Sequence, residues 1–181
     1  ASWVSLYDTA AVWERGTSWV DGINSAGLAA HCHVFRKGRF PDPDGRPTLR
    51  PSHVVRWLLD TCASVGEAVE RLESVHISND WITEAGIPFM SASFAVEDAS
   101  GDSAIIEGIN GKRIIHHGEE TRVHSNAPGL DEHLENLAMY APFGGDLPVP
   151  GHVTARDRFV RASYFLHYLP QPSVMMEALA G

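Results

Sequence analysis

The chain has 181 residues, enough for one domain with a real core, and its 44% apolar to 20% charged balance is that of a globular protein. A net charge of -9 leaves no basic stripe for nucleic acid or an anionic membrane. No apolar run reaches the roughly 20 residues of a membrane span. The two cysteines, Cys32 and Cys62, match no metal spacing. Buried thiols are the plain reading, with a disulfide between them left open.

Residues 3–14 are rich in strand formers, and a second strand over 18–22 runs into Asn24-Ser-Ala-Gly27, a turn signal. Residues 28–35 return as its partner. Residues 36–50 form a basic, Pro- and Gly-rich loop, either a lid or a solvated connection. Residues 51–60 carry helical spacing, with Val54, Val55, Leu58 and Leu59 on one side. Ser64 and Glu67 make a capping box that opens a second helix over 65–72. The period then falls to two. Strands are predicted over 89–96 and 103–107, with a turn at 99–102 between them. Asn110-Gly111 between Ile109 and Ile114 is a type I′ hairpin signal. Val123 is placed in one more strand, ending at an Asn126-x-Pro128 turn. Helices follow over 131–140 and, capped by Thr154-x-x-Asp157, through Leu169; Pro170 and Pro172 break the pattern and 174–179 resumes it. Hairpins and helices come in separate blocks, so the class is α+β, in one domain over 1–181. The chain opens strand-like, without Met or a leader pattern, and stops within an apolar segment. The expectation is therefore a piece of a longer or processed product, incomplete at both ends.

Ten histidines raise the question of a metal. His31 and His33 alternate on one strand and so share a face, and His124 lies near Asn126, but no third ligand stands at a fixed spacing. A Cys-His-Asn set using Cys32 or Cys62 is a second reading, although nothing local marks either thiol as activated. Glycine-rich phosphate loops are absent. Asn126 is either a turn residue or an amide donor at a strand tip. Arg158 and Arg161, three apart on one helix face, are either solvated or aimed at negative charge.

Four motifs bear on that choice. Asp21-Gly-Ile-Asn-Ser-Ala-Gly-Leu28 resembles the Asp-Gly-Met/Ile-Asn-Glu-Lys-Gly-Leu segment of the choloylglycine hydrolase and penicillin V acylase family. Ser100-Gly-Asp-Ser-Ala-Ile-Ile-Glu107 with Asn110-Gly-Lys112 is similar to that family's central hairpin. Val123-His-Ser-Asn-Ala-Pro128 resembles its Val-Met-Thr-Asn-Ser-Pro, and Asp157-Arg-Phe-Val-Arg-Ala162 its Asp-Arg-Phe-Val-Arg-Ala. They occur in family order over residues 2–169, and the branch they resemble is the acylase branch of Gram-negative bacteria.

The resemblance implies an N-terminal-nucleophile (Ntn) hydrolase fold, a four-layer αββα sandwich of two antiparallel sheets. The helical pair of residues 51–73 is then expected on one outer face and the helices of 129–169 on the other. It implies hydrolysis of a small-molecule linear amide: a conjugated bile salt, penicillin V or an N-acyl homoserine lactone. The nucleophile is a Cys at the mature N-terminus, assisted by an early Arg and Asp, none of which this chain contains. Asn126 matches the family's oxyanion-hole Asn and Arg158 its late active-site Arg. Val34 falls where the family completes the oxyanion hole with a backbone N–H; bile-salt members carry Asn there and penicillin acylases an aromatic. No cofactor or metal is implied, and a homotetramer is the family's tendency. Localisation stays open, a periplasmic one being compatible with the Gram-negative-like branch. The alternatives are a binding domain or pseudoenzyme that keeps the fold, or a piece with no function of its own.

Overall fold

The computed structural model describes residues 2–14, 18–36, 38–80 and 91–169. Three antiparallel strands open it: β1 (Thr9–Glu14), β2 (Ser18–Asn24) and β3 (Ala29–Val34). After a 3-10 turn at Pro51–His53 come two helices, α1 (Val54–Thr61) and α2 (Val65–Leu72). Strands β6 (Ala92–Glu97), β7 (Ser103–Ile109) and β8 (Lys112–His117) follow, then α3 (Leu130–Leu137) and α4 (Ala155–Tyr168). Two-residue strands β4 (Thr48–Leu49) and β5 (His76–Ile77) pair in parallel beside the main sheet. That sheet has the order β1-β2-β3-β6-β7-β8 and is antiparallel throughout.

Local chemistry explains most boundaries. Ser64 accepts the Glu67 N–H at 3.3 Å, while the Glu67 carboxylate takes the Ala63 N–H at 2.8 Å. The Asp98 carboxylate, from the β6–β7 turn, reaches the Val65 N–H at 2.9 Å and adds a tertiary cap to α2. Asn110 and Gly111 both have positive φ, 51° and 77°, which a two-residue type I′ turn demands.

The Asp21-Gly-Ile-Asn24 motif is a docking device for α1. Asn24 is buried; its Nδ2 donates to the carbonyls of Leu59 (2.9 Å) and Cys62 (2.7 Å), and its Oδ1 accepts the N–H groups of Ala26 and Leu28. The end of α1 and the β2–β3 turn are thereby satisfied by one side chain. A Cβ on Gly22 would lie 2.7 Å from Leu59 Cδ1 and 2.9 Å from the Ala10 carbonyl, so only glycine lets α1 approach.

Both sheet faces carry helices. On one, Ala30, Phe94, Val96, Ala104 and Ile106 meet Val54, Val55, Leu58 and Leu59 of α1 and Val65, Ala68 and Leu72 of α2. Each fully buried Leu there contributes roughly 2 kcal/mol of transfer free energy. On the other, Ala95 and Ile105 meet Leu130 of α3 and Phe159 of α4. The class is α+β with an antiparallel sheet, and the two helical groups lie on opposite faces, though of one sheet rather than of a stacked pair. Of the two expected antiparallel sheets, the described residues form one, the six-stranded sheet, with only the short parallel β4–β5 pair beside it, and the two helical layers bracket that one sheet. Over β1 and β2 no described residue covers its α3–α4 face, where Val12 and Ile23 are 60% and 51% exposed.

Three details depart from expectation. Val123 is extended (φ -122°, ψ 128°) but belongs to no strand; a 3-10 turn at Glu119–Arg122 lifts the chain off β8 first. The opening strand begins at Thr9, because residues near the start pack instead on α1, where Trp3 Nε1 donates to Asp60 at 2.8 Å. The 36–50 segment is partly structured by β4, and β5 was missed; two-residue strands carry no periodicity to read. The start of the predicted 89–96 strand, Pro170, Pro172 and the 174–179 segment lie outside the described residues.

Candidate active site

Asn126 sits where the irregular 123–125 segment turns toward α3. Its side chain is held at both ends: Nδ2 donates to the Val34 carbonyl at 3.0 Å, and Oδ1 accepts from the Arg158 guanidinium. Its own carbonyl accepts from His133 Nε2 at 2.8 Å. Arg158, on the first turns of α4, donates its other nitrogen to the Val153 carbonyl at 2.7 Å. Arg161 turns elsewhere, to the carbonyls of Pro150 and His152. Asn126, Val34 and Arg158 thus meet at one place, and Arg161 holds the 150–152 loop.

The orientation of Val34 follows from ladder alternation. The Phe35 N–H donates to the Ser91 carbonyl at 2.7 Å, so the neighbouring pair, Val34 with Ala92, is a non-hydrogen-bonded one. The Val34 N–H and C=O therefore both point away from β6. The ladder between β2 and β3 pairs Ala29 to His31 only, so Val34 lies beyond it. Both backbone groups face the side on which Asn126 stands. A primary amide carries two N–H donors; one is spent on the Val34 carbonyl, and the second remains for a ligand oxygen. Arg158 on Oδ1 decides which way the amide is turned.

Beside this point lies a polar cluster. His33, on the α3–α4 face of β3, brings Nδ1 within 2.7 Å of His124 Nδ1, with the rings edge to face at 4.3 Å. His124 Nε2 contacts Ser93 Oγ at 2.9 Å. Ser93 is the cross-strand partner of His33, so the three side chains close a triangle. Burial pushes His124 down to about 3, with His33, His31 and His133 adding to the effect. Burial also lowers His33, against the pull of Asp21 and helped by His31 and Arg158. His133, lowered by burial as well, stacks on Phe159 with ring centroids 4.6 Å apart.

The rival constellations come apart. His31 shares the face of His33 but pairs with Asp21 at 2.6 Å, and Glu97 first and Asp21 second raise its pKa. Cys32 packs on the α1 side of the sheet, opposite His33, and burial pushes its thiol up to about 12. Cys62 is buried at the end of α1, its thiol also raised by burial. Both are free thiols, and a raised pKa disfavours the thiolate that a nucleophile needs. Sequence reasoning missed Ser93 and His133; a lone Ser in a strand and a His inside a helix carry no local signal.

Comparison with known proteins accords with this architecture. The profile of the linear amide C–N hydrolases, choloylglycine hydrolase family, matches residues 8–181, and the chain belongs to that family. It is 34% identical over 155 residues to a penicillin V acylase of Pectobacterium atrosepticum, covering 82% of this chain and 41% of the relative. A conjugated bile acid hydrolase of Lactobacillus acidophilus is 28% identical over 174 residues, covering 80% of this chain and 51% of the relative. The solved penicillin V acylase of Agrobacterium tumefaciens superposes with a TM-score of 0.84 at 36% identity, over 98% of this chain and 54% of that one. A conjugated bile acid hydrolase structure from Clostridium perfringens, at 21% identity and a TM-score of 0.77, shares the fold. The fold is that of an Ntn hydrolase, and the chain spans about half the length of these relatives. Among the described residues no helix is long and apolar enough to cross a membrane.

Proposed function

We propose that the protein carrying this chain hydrolyses linear amides, as a penicillin V acylase or a conjugated bile acid hydrolase does, with this chain supplying the oxyanion-stabilising part of the site. The observation that carries the reading is the meeting of the Asn126 amide, the outward Val34 backbone and the Arg158 guanidinium. The nucleophile is an N-terminal Cys thiolate outside these residues, since Cys62 is buried, Cys32 is half-buried on the α1 side of the sheet, and desolvation raises both thiol pKa values. Its proton passes to the terminal amine. The thiolate adds to the amide carbonyl, and the resulting oxyanion accepts from the free Asn126 N–H and the Val34 N–H. The C–N bond then breaks as the leaving amine takes that proton. Water hydrolyses the thioester, releasing the acid and restoring the thiol.

Each oxyanion donor is worth roughly 3 kcal/mol because it strengthens only as charge develops. Arg158 acts by fixing the amide rather than by touching the carbonyl. Val34 serves this role through its backbone, which leaves the choice of acyl group open. The test is the full-length protein assayed for release of phenoxyacetate from penicillin V and of amino acid from glycine-conjugated bile acids. Turnover of either supports the reading. A folded protein with an intact N-terminal Cys that hydrolyses neither, yet binds them, would establish a binding domain instead.

A further inference from the structure

The His33–His124 pair lies outside the roles assigned so far, yet it stands at the point where the two oxyanion donors meet. His33 immediately precedes Val34, and His124 lies two residues before Asn126. The 123–125 segment has no ladder hydrogen bonds to hold it. Other ties of this stretch lead elsewhere: Ser125 Oγ to the Ala155 carbonyl of α4, and the Asn126 carbonyl to His133 of α3. Among the described residues, two hydrogen bonds join it to β3, that of the Asn126 amide itself and that of the imidazole pair. Misplacement of a catalytic group by about an ångström is costly, and the imidazole pair ties the segment to β3 without engaging the catalytic amide.

We propose that His33 and His124, closed by Ser93, form a positioning clamp that holds the Asn126 segment at a set distance from the Val34 edge. This rests on the oxyanion reading of those two residues. An Nδ1 to Nδ1 contact of 2.7 Å needs one ring to donate and the other to accept. Ser93 Oγ serves either tautomer of His124, accepting from Nε2–H or donating to bare Nε2. The triangle is therefore satisfied with both rings neutral. Burial first opposes a proton on the pair; His31 adds to it at both rings, Arg158 at His33 and His133 at His124, and Asp21 acts on His33 alone in the other direction. A pair of apolar rings would fill the space but fix no distance. A hydrogen bond fixes one.

The experiment compares His33→Phe, His124→Phe, the double variant and His124→Gln in the full-length protein, with penicillin V or a glycine-conjugated bile acid as substrate. Each Phe variant is expected to lower kcat by about tenfold to a hundredfold with KM little changed, since misplacement by about an ångström has that cost. The double variant should be no worse than either single one, because one link cannot be lost twice. His124→Gln, which can still donate or accept, should recover most of the rate. Additive losses, or folded Phe variants with wild-type kcat, overturn the clamp. Independently of turnover, nitrogen-15 NMR of wild-type histidines should show one protected ring N–H proton shared by this pair, absent in His124→Phe. Its absence from the wild type overturns the clamp even if the Phe variants do not fold. If instead Asn126→Ala leaves kcat unchanged while that proton is present, the oxyanion reading fails and the His33–His124 bond stands without a catalytic consequence.

Discussion

Arg158 and Asn126 are joined so that the guanidinium grips the amide oxygen while the amide nitrogen grips the Val34 carbonyl. A side chain on α4 and the backbone of β3 are thus connected through one rotatable amide. Removing either end frees the amide to turn, and that is the basis of the first two predictions.

Asn126→Ala should lower kcat of the full-length protein by roughly a hundred- to a thousandfold. Its stability should change by less than about 1 kcal/mol, because the site is only part-buried and the bonds lost there are re-made to water. Steady-state kinetics beside a urea melt would separate the two effects. Comparable loss of both would mean that Asn126 is a structural turn residue.

Arg158→Met should lower kcat by about tenfold through release of the Asn126 oxygen, and Arg158→Lys should recover little of it, having no planar fork to reach Val153 and Asn126 together. Arg161→Met should loosen the 150–152 loop and leave the Asn126 contacts in place. Equal losses in the two Met variants would show that the α4 arginines act by general charge.

Asn24→Ala should destabilise by about 2–4 kcal/mol. It strands the buried carbonyls of Leu59 and Cys62 and the N–H groups of Ala26 and Leu28 at once. A shift of the denaturant midpoint at unchanged slope would measure it.

Stability should peak near neutral pH. His124, His33 and His133 have folded pKa values below the ordinary 6.5, so their contribution is present above pH 6.5 and is lost as pH falls from there toward about 3 for His124. His116, raised chiefly by its bond to Glu107, and His31, raised by Glu97 and Asp21, act in the opposite sense: their contribution is present below pH 6.5 and is lost as pH rises through their folded values. Denaturant midpoints taken from pH 4.5 to 8 should trace this dome, and His124→Phe should flatten its acid limb.

Cys32 and Cys62 should resist alkylation at pH 8 in the folded protein and react on unfolding, since burial holds both thiols protonated. Rapid loss of activity on labelling either one would reopen an internal nucleophile.

Much of this protein is legible in its residues because the relevant chemistry is local. The Ser64–Glu67 capping box, the Asn110-Gly111 turn and the Thr154 cap each act within four residues, and each element appeared where its signal stood. The motifs around Asn24, Asn126 and Arg158 carry the family. Other features are decided only by tertiary structure, since they depend on segments that meet across the chain. Val123 looks like a strand residue, but the 3-10 turn at Glu119–Arg122 takes it off the sheet. Arg158 and Arg161 are equivalent on a helical wheel; what separates them is that one faces Asn126 and the other the 150–152 loop. His33 and His124 are 91 residues apart, and only the packing of the 123–126 segment over β3 brings their ring nitrogens into contact. Whether a polar side chain is a solvated bystander or part of a site is set by which distant partner shares its desolvated space, and periodicity along a sequence carries no record of that.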